Sequence, residues 1–118
     1  MNRLSICMIV KNEEENLPPL LRSIEPLGAQ LVVVDTGSTD RTVEIAENAG
    51  AKVVRWAWRS DFAAARNVSL EHARAPWVLW LDADDRMPTE SVEKVLRIAS
   101  RDPDRAVSFL IKNTIDEG

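Results

Sequence analysis

Five short apolar runs, four to seven residues each and separated by amphipathic stretches, constrain this chain more than any other feature. "LSICMIV" (4–10), "LVVV" (31–34), "KVVRW" (52–56), "WVLWL" (77–81) and "AVSFLI" (106–111) are rich in β-branched or aromatic side chains. The second and fourth are nearly continuous, the pattern of strands covered on both faces. Between the runs, Leu17, Leu20, Leu21 and Ile24 follow helical i, i+3, i+4, i+7 spacing, as do Val92, Val95, Leu96 and Ala99. Pro18 and Pro19 are tolerated only in a first turn, so Asn16 is the expected cap and "KNEEE" is left as a loop. A second helix is expected from Asp40 to Gly50, and Asp61 is expected to cap a third through "FAAARNVSLEHA".

Strands alternating with helices of about ten residues predict βαβ units. The expected fold is α/β, three layers in αβα order around a mostly parallel, Rossmann-like sheet. With 118 residues, 45% of them apolar, the chain is expected to form one domain with its own core. Right-handed crossovers bring every strand-to-helix loop to the carboxyl edge of the sheet, where open α/β folds bind ligands.

That edge is predicted to be acidic. The first strand runs into Glu13, Glu14 and Glu15, the second into Asp35 and Asp40, and the fourth into Asp82, Asp84 and Asp85. Each loop alone has an ordinary explanation: a solvated first turn at a helix dipole, a capping Asp40, a Gly37–Ser38 turn. Together they demand more, since like charges 4 Å apart repel by roughly 4 kcal/mol at an effective dielectric near 20.

The ligand classes narrow quickly. A net charge of -4 and a pI near 5.0 argue against a nucleic-acid partner. Neither G-x-G-x-x-G after the first strand nor G-x-x-x-x-G-K-[ST] occurs, which disfavours dinucleotide binding and a Walker-type NTPase. One cysteine and one histidine exclude a Cys/His zinc site. Carboxylates spaced D-x-D suit a hard cation instead, and Mg²⁺ or Mn²⁺ would neutralise the edge so that it could hold a diphosphate. The lone Cys7, within a strand, reads as inert core and fits a reducing cytoplasm. No apolar run approaches the roughly 20 residues of a membrane span, and no signal peptide opens the chain.

"SICMIVKNEEENL", "VVVDTGSTDRT", "DFAAARN" and "WVLWLDADDRM" resemble, in order and spacing, the successive motifs of family 2 glycosyltransferases with the GT-A fold. The match covers residues 4 to about 95. D-x-D alone is weakly specific; "DTGSTDRT" followed about fifty residues later by "LDADD" is much more so. The resemblance implies that Asp82 lies near the ribose and metal of a nucleotide-diphospho-sugar, that Asp84 coordinates Mg²⁺ or Mn²⁺, and that Asp35 accepts a hydrogen bond from the base, commonly uracil. Asp85 stands between a site role and closing the next turn. Glu13 is either a nucleotide contact or a solvated acid, and Lys11 and Asn12 share its loop. Arg66 and Asn67 match the family's "RN" beside the nucleotide; the ordinary alternative for Arg66 is an ion pair with Asp61 or Glu71. His72 reads as a helix-surface residue, and Trp56 and Trp58 as core ahead of stacking.

Members of this family are inverting transferases acting on glycan, lipid-linked or protein acceptors, with likeness here to bacterial enzymes of cell-envelope polysaccharide biosynthesis. Their general base is an acid in the second half of the domain, and none of the acids near "KNTIDEG" matches it. The expectation is a nucleotide-sugar-binding half of a longer transferase, cytoplasmic, with UDP-type donors favoured, a base lying beyond Gly118, and peripheral membrane association open to the full-length protein. A non-catalytic nucleotide-binding or interaction module of the same fold is the alternative. A phosphoryl-transfer receiver domain ranks well behind, because its paired acids belong at the end of strand one, where glutamates stand here.

Overall fold

The structure, a computed structural model, describes residues 3–58, 60–102 and 108–110. Its elements follow the order β1 (Leu4–Val10), α1 (Leu17–Ile24), β2 (Gln30–Asp35), α2 (Thr42–Asn48), β3 (Lys52–Arg55), α3 (Phe62–His72), β4 (Trp77–Trp80), α4 (Thr89–Ala99) and β5 (Ser108–Leu110). A short 3-10 turn, Glu25–Leu27, follows α1. The strands form one five-stranded sheet in the order β3-β2-β1-β4-β5, with every pairing parallel. The expected three-layer, Rossmann-like α/β architecture is what forms.

β1 lies at the centre, with Val10 opposite Asp35 on one side and Cys7 opposite Trp80 on the other. The chain leaves β1 toward β2 and β3, then crosses back to place β4 on β1's other flank. The order therefore reverses between β1 and β4, a topological switch point of the kind that opens a crevice at the carboxyl edge.

Alternation along the strands splits the core. On one face Ile6, Met8, Val10, Val33, Leu79 and Leu81 pack with Leu17, Leu20 and Ile24 of α1, Ala46 of α2 and Val92, Val95 and Ala99 of α4. On the other, Cys7, Val32 and Val78 pack with Leu70 and Ala73 of α3 and its flank, and with Trp80. A buried side chain of this size contributes about 1.5–3 kcal/mol. Leu96, the fourth member of the α4 stripe, is exposed rather than buried.

The helix starts follow local chemistry. Asp61 caps α3, its carboxylate accepting the Ala64 N–H at 3.0 Å. Asn16 occupies the cap position of α1 but makes no side-chain cap bond. The N–H groups a cap side chain would serve belong to Pro18 and Pro19, which have none; the Asn16 amide turns to Glu13 Oε2 instead, at 3.1 Å. α2 begins at Thr42 rather than at Asp40, with Asp40 Oδ1 taking the Thr42 N–H from just outside the helix. Gly50 ends α2 as expected, with φ +84°.

At the amino edge, Gln30 Oε1 accepts from the Ser5 hydroxyl and the Arg74 N–H, and its Nε2 donates to the His72 carbonyl. This clamp holds the end of α3 to the start of β2. His72 thus sits in the last turn of α3, at the end of the sheet opposite the strand-end acids. Among the described residues no helix is long and apolar enough to cross a membrane.

Candidate functional site

Three loops build the carboxyl edge. After β4, the Leu81 N–H donates to the Cys7 carbonyl at 3.1 Å, so the chain leaves the sheet at Asp82. A tight turn follows, in which the Asp85 N–H donates to the Asp82 carbonyl (2.9 Å) and the Asp82 N–H donates to Asp85 Oδ2 (2.7 Å). Asp85 therefore closes the turn, one of its two expected roles. Carboxylate oxygens of Asp82, Asp84 and Asp85 nonetheless all lie within 4.8 Å of one another, with Asp82 and Asp84 exposed and Asp85 half-buried. Octahedral Mg²⁺ or Mn²⁺ with oxygen ligands about 2.1 Å away sets its ligands about 3–4 Å apart. A donor set of three hard oxygens at this spacing fits such an ion after small side-chain rotations. Arg86 braces the turn from behind, Nη1 donating to the carbonyls of Ala83 (3.3 Å) and Asp85 (2.7 Å).

On β1's other flank, Asp35 ends β2 almost fully buried, at 4% exposure. Oδ2 accepts the N–H groups of Gly37 (3.3 Å) and Ser38 (3.1 Å), and Oδ1 accepts the Ser38 hydroxyl. The Asp35 carbonyl takes the Trp56 N–H at 2.8 Å.

The β1–α1 loop is latched to the β2–α2 loop. Asn12 adopts a left-handed backbone, φ +53°, which asparagine tolerates better than most residues. Its N–H donates to Ser38 Oγ, and its Oδ1 accepts the Thr39 N–H, both at 2.8 Å. The Glu13 N–H donates to Thr42 Oγ1 (2.8 Å), and the Glu14 N–H to Asp40 Oδ2 (3.3 Å). Asp40 is held below the ordinary carboxylate range, first by the Thr42 hydroxyl and then by backbone N–H donors. Asn12, Glu13, Glu14, Glu15, Asn16 and Asp40 line a shallow cavity of about 200 Å³.

Asp35 and the Asp82–Asp85 turn thus end strands on either side of β1, two strand spacings apart or about 10 Å across the sheet. Arg66 lies on α3, the helix that among the described residues packs on the second face. Its guanidinium sits 5.1 Å from the Phe62 ring centre and 5.2 Å from that of Trp80. It stacks on rings, and the ion pair with Asp61 or Glu71 does not form. Trp58 is a correction. It is 46% exposed rather than core, because it lies past the last ladder residue of β3, where it meets Phe62 edge-on at 6.2 Å. Trp56 is half-buried. Ser38's place on Asp35 escaped the sequence reading, whereas Asp85 was already grouped there with Asp82 and Asp84.

Residues 5–118 match the family described as Glycosyl transferase family 2. The chain belongs to that family. A TPR repeat-containing protein of Synechococcus elongatus is 46% identical over 91 residues, 77% of this chain and 23% of its own length. A glycosyltransferase of Rickettsia bellii, itself uncharacterized, is 32% identical over 111 residues, covering 93% of this chain and 37% of its own. Among solved structures, Staphylococcus aureus TarS (residues 1–349) superimposes with a TM-score of 0.72 at 27% identity, over 85% of this chain and 32% of that one. The same protein has been solved with UDP, at a TM-score of 0.70. This family 2 chain therefore spans between about a quarter and two fifths of the length of these relatives.

Proposed function

We propose that this chain is the donor-binding half of an inverting, metal-dependent glycosyltransferase, holding a nucleotide-diphospho-sugar for transfer to a glycan, lipid-linked or protein acceptor. One observation carries the reading: Asp35 and the Asp82–Asp84–Asp85 cluster end strands on either side of the central β1, at the switch point of a parallel sheet. Membership of family 2 and the likeness to TarS, solved with UDP, support a UDP-type donor.

In this reading Asp35 accepts an N–H from the base, while Asn12 and Glu13 fix the adjacent loop beside the nucleotide through their bonds to Ser38 and Thr42. Asp84 and Asp82 hold Mg²⁺ or Mn²⁺, with Asp85 close enough to join them. When bound, the ion supplies Lewis-acid stabilisation of the departing diphosphate charge. Arg66 offers a guanidinium fork to base or phosphate, oriented by the rings of Phe62 and Trp80. The general base and the acceptor contacts belong to a longer chain, beyond Gly118. We place that protein in the cytoplasm, in cell-envelope polysaccharide synthesis, with peripheral membrane association open to it.

Isothermal titration of the chain with UDP tests this. Binding is expected with Mn²⁺ or Mg²⁺ and is expected to fall at least ten-fold when EDTA removes the ion. Equal affinity with and without EDTA contradicts the metal-dependent reading.

A further inference from the structure

Among the described residues three large apolar side chains stand in water, and two of them are neighbours. Trp58 and Phe62, 46% and 48% exposed, meet edge-on at 6.2 Å. Phe62 is the first residue of α3 and, unlike Leu70 farther along that helix, takes no part in the core. Its other contact is Arg66, one turn on at i+4, whose Cζ lies 5.1 Å from the ring centre, within cation–π range. The second ring on Arg66, that of Trp80, is of a different kind. Trp80 packs with the second-face core, and its indole N–H reaches the hydroxyl of the fully buried Ser69 at 3.4 Å. That hydroxyl donates to the Arg66 carbonyl at 2.7 Å. Trp80 therefore has work in the fold wherever Arg66 points, and Phe62 does not.

Arg66 is exposed and, among the described residues, pairs with no carboxylate, in a chain whose net charge is -4. A guanidinium held by ring faces keeps its in-plane N–H donors for another partner. A long arginine also loses rotamer freedom when a ligand fixes it. A ring contact already made in the free protein takes that loss before the ligand arrives, which tightens binding. Resting on the reading that Arg66 meets the nucleotide, we infer that Phe62 is a positioning residue. Its exposed ring holds the Arg66 guanidinium in place in the unliganded protein and makes no contact of its own with the ligand. Trp80 is the fixed wall of this clamp, and Phe62 is the part that exists for the arginine.

The test is calorimetric titration of the 118-residue chain with UDP in Mn²⁺. It compares the parent with Arg66→Ala, Phe62→Leu, Phe62→Tyr and the double variant Phe62→Leu/Arg66→Ala. Phe62 is half in water, so these changes remove little core packing. Arg66→Ala should weaken UDP about ten-fold and Phe62→Leu about five-fold, while Phe62→Tyr, which keeps the ring, should stay within about two-fold of the parent. In the double variant the leucine should add nothing, because its effect passes through Arg66. In NMR spectra of the unliganded chain the Arg66 δ-protons should lie upfield through ring currents. Phe62→Leu should reduce that shift and leave the part due to Trp80. Phe62→Leu binding UDP like the parent overturns the inference, as do unshifted δ-protons or a tyrosine as weak as the leucine. A leucine that weakens the Arg66→Ala chain as much as it weakens the parent overturns it too, since Phe62 then acts without the arginine. If Arg66→Ala binds UDP as tightly as the parent, the inference fails while donor binding stands. A parent that does not bind UDP sinks the donor-binding reading itself, and the inference with it.

Discussion

Arg86 Nη2 donates to Asn16 Oδ1 at 3.3 Å, joining the turn after β4 to the start of α1. With its two bonds to the backbone carbonyls of Ala83 and Asp85, this guanidinium holds the acidic turn in place through main-chain oxygens. Net hydrogen-bond contributions are about 1 kcal/mol each when well formed, and less where water competes. Arg86→Ala is expected to lower the melting temperature, measured without metal, by about 4 °C, corresponding to about 1 kcal/mol in a domain of this size. Arg86→Lys should not restore it, because an ammonium lacks the planar fork that reaches both carbonyls and the amide. An unchanged melting temperature in Arg86→Ala would mean that the turn holds itself.

Asp84 carries the opposite expectation. Its exposed carboxylate lies within 4.8 Å of those of Asp82 and Asp85, so without a cation it only adds repulsion. Asp84→Ala should melt at the same temperature as the parent or slightly above it in EDTA. The parent should gain stability on adding Mn²⁺, by mass action on the folded state, and the variant should gain much less. Thermal melts with and without Mn²⁺ check both halves. A severe loss of stability in EDTA would make Asp84 structural.

The two acids differ in how readable they were. Asp84 follows a near-continuous apolar run and needs only the strand-end inference to be placed. The role of Asp61 as a cap was legible for the same reason: it depends on a partner three residues away. The bonds around Asp35 depend on Asn12, 26 residues from Ser38, and on the register that sets Val10 beside Asp35. No local pattern encodes a register. Gln30 was unreadable likewise, since its partners Ser5, His72 and Arg74 meet only once β1, β2 and α3 are packed. Asn16 misled in a different way. Its position as cap was correct, and the two prolines that made it so also removed the N–H groups its side chain would have served.

Burial pushes the Cys7 thiol up from 9.0 to about 11, with its contact to Ser69 acting the other way. The native state then keeps a proton that the unfolded chain releases. The resulting stabilisation is complete below pH 9, on the order of 2–3 kcal/mol, and is lost as pH rises through about 11. Melting temperatures from pH 8 to 11 should fall more steeply for the parent than for Cys7→Ala, although the alanine variant starts lower because it leaves a small cavity. At pH 8 the native thiol should resist alkylation. Parallel slopes, or rapid labelling of the folded chain, would show that Cys7 is reachable by solvent.

The central claim is that a divalent cation at the β4 turn and a nucleotide at the end of β2 share one edge of the sheet. Paramagnetic Mn²⁺ broadens NMR signals of nearby nuclei, so substoichiometric Mn²⁺ added to the ¹⁵N-labelled chain, followed by UDP, tests it most directly. Broadening should centre on the amides of Asp82, Asp84 and Asp85, and UDP should then shift Asp35, Gly37 and Ser38 only while a divalent ion is present. Broadening centred on Glu13–Glu15 with the β4 turn untouched, or UDP shifts that persist unchanged in EDTA, would contradict it.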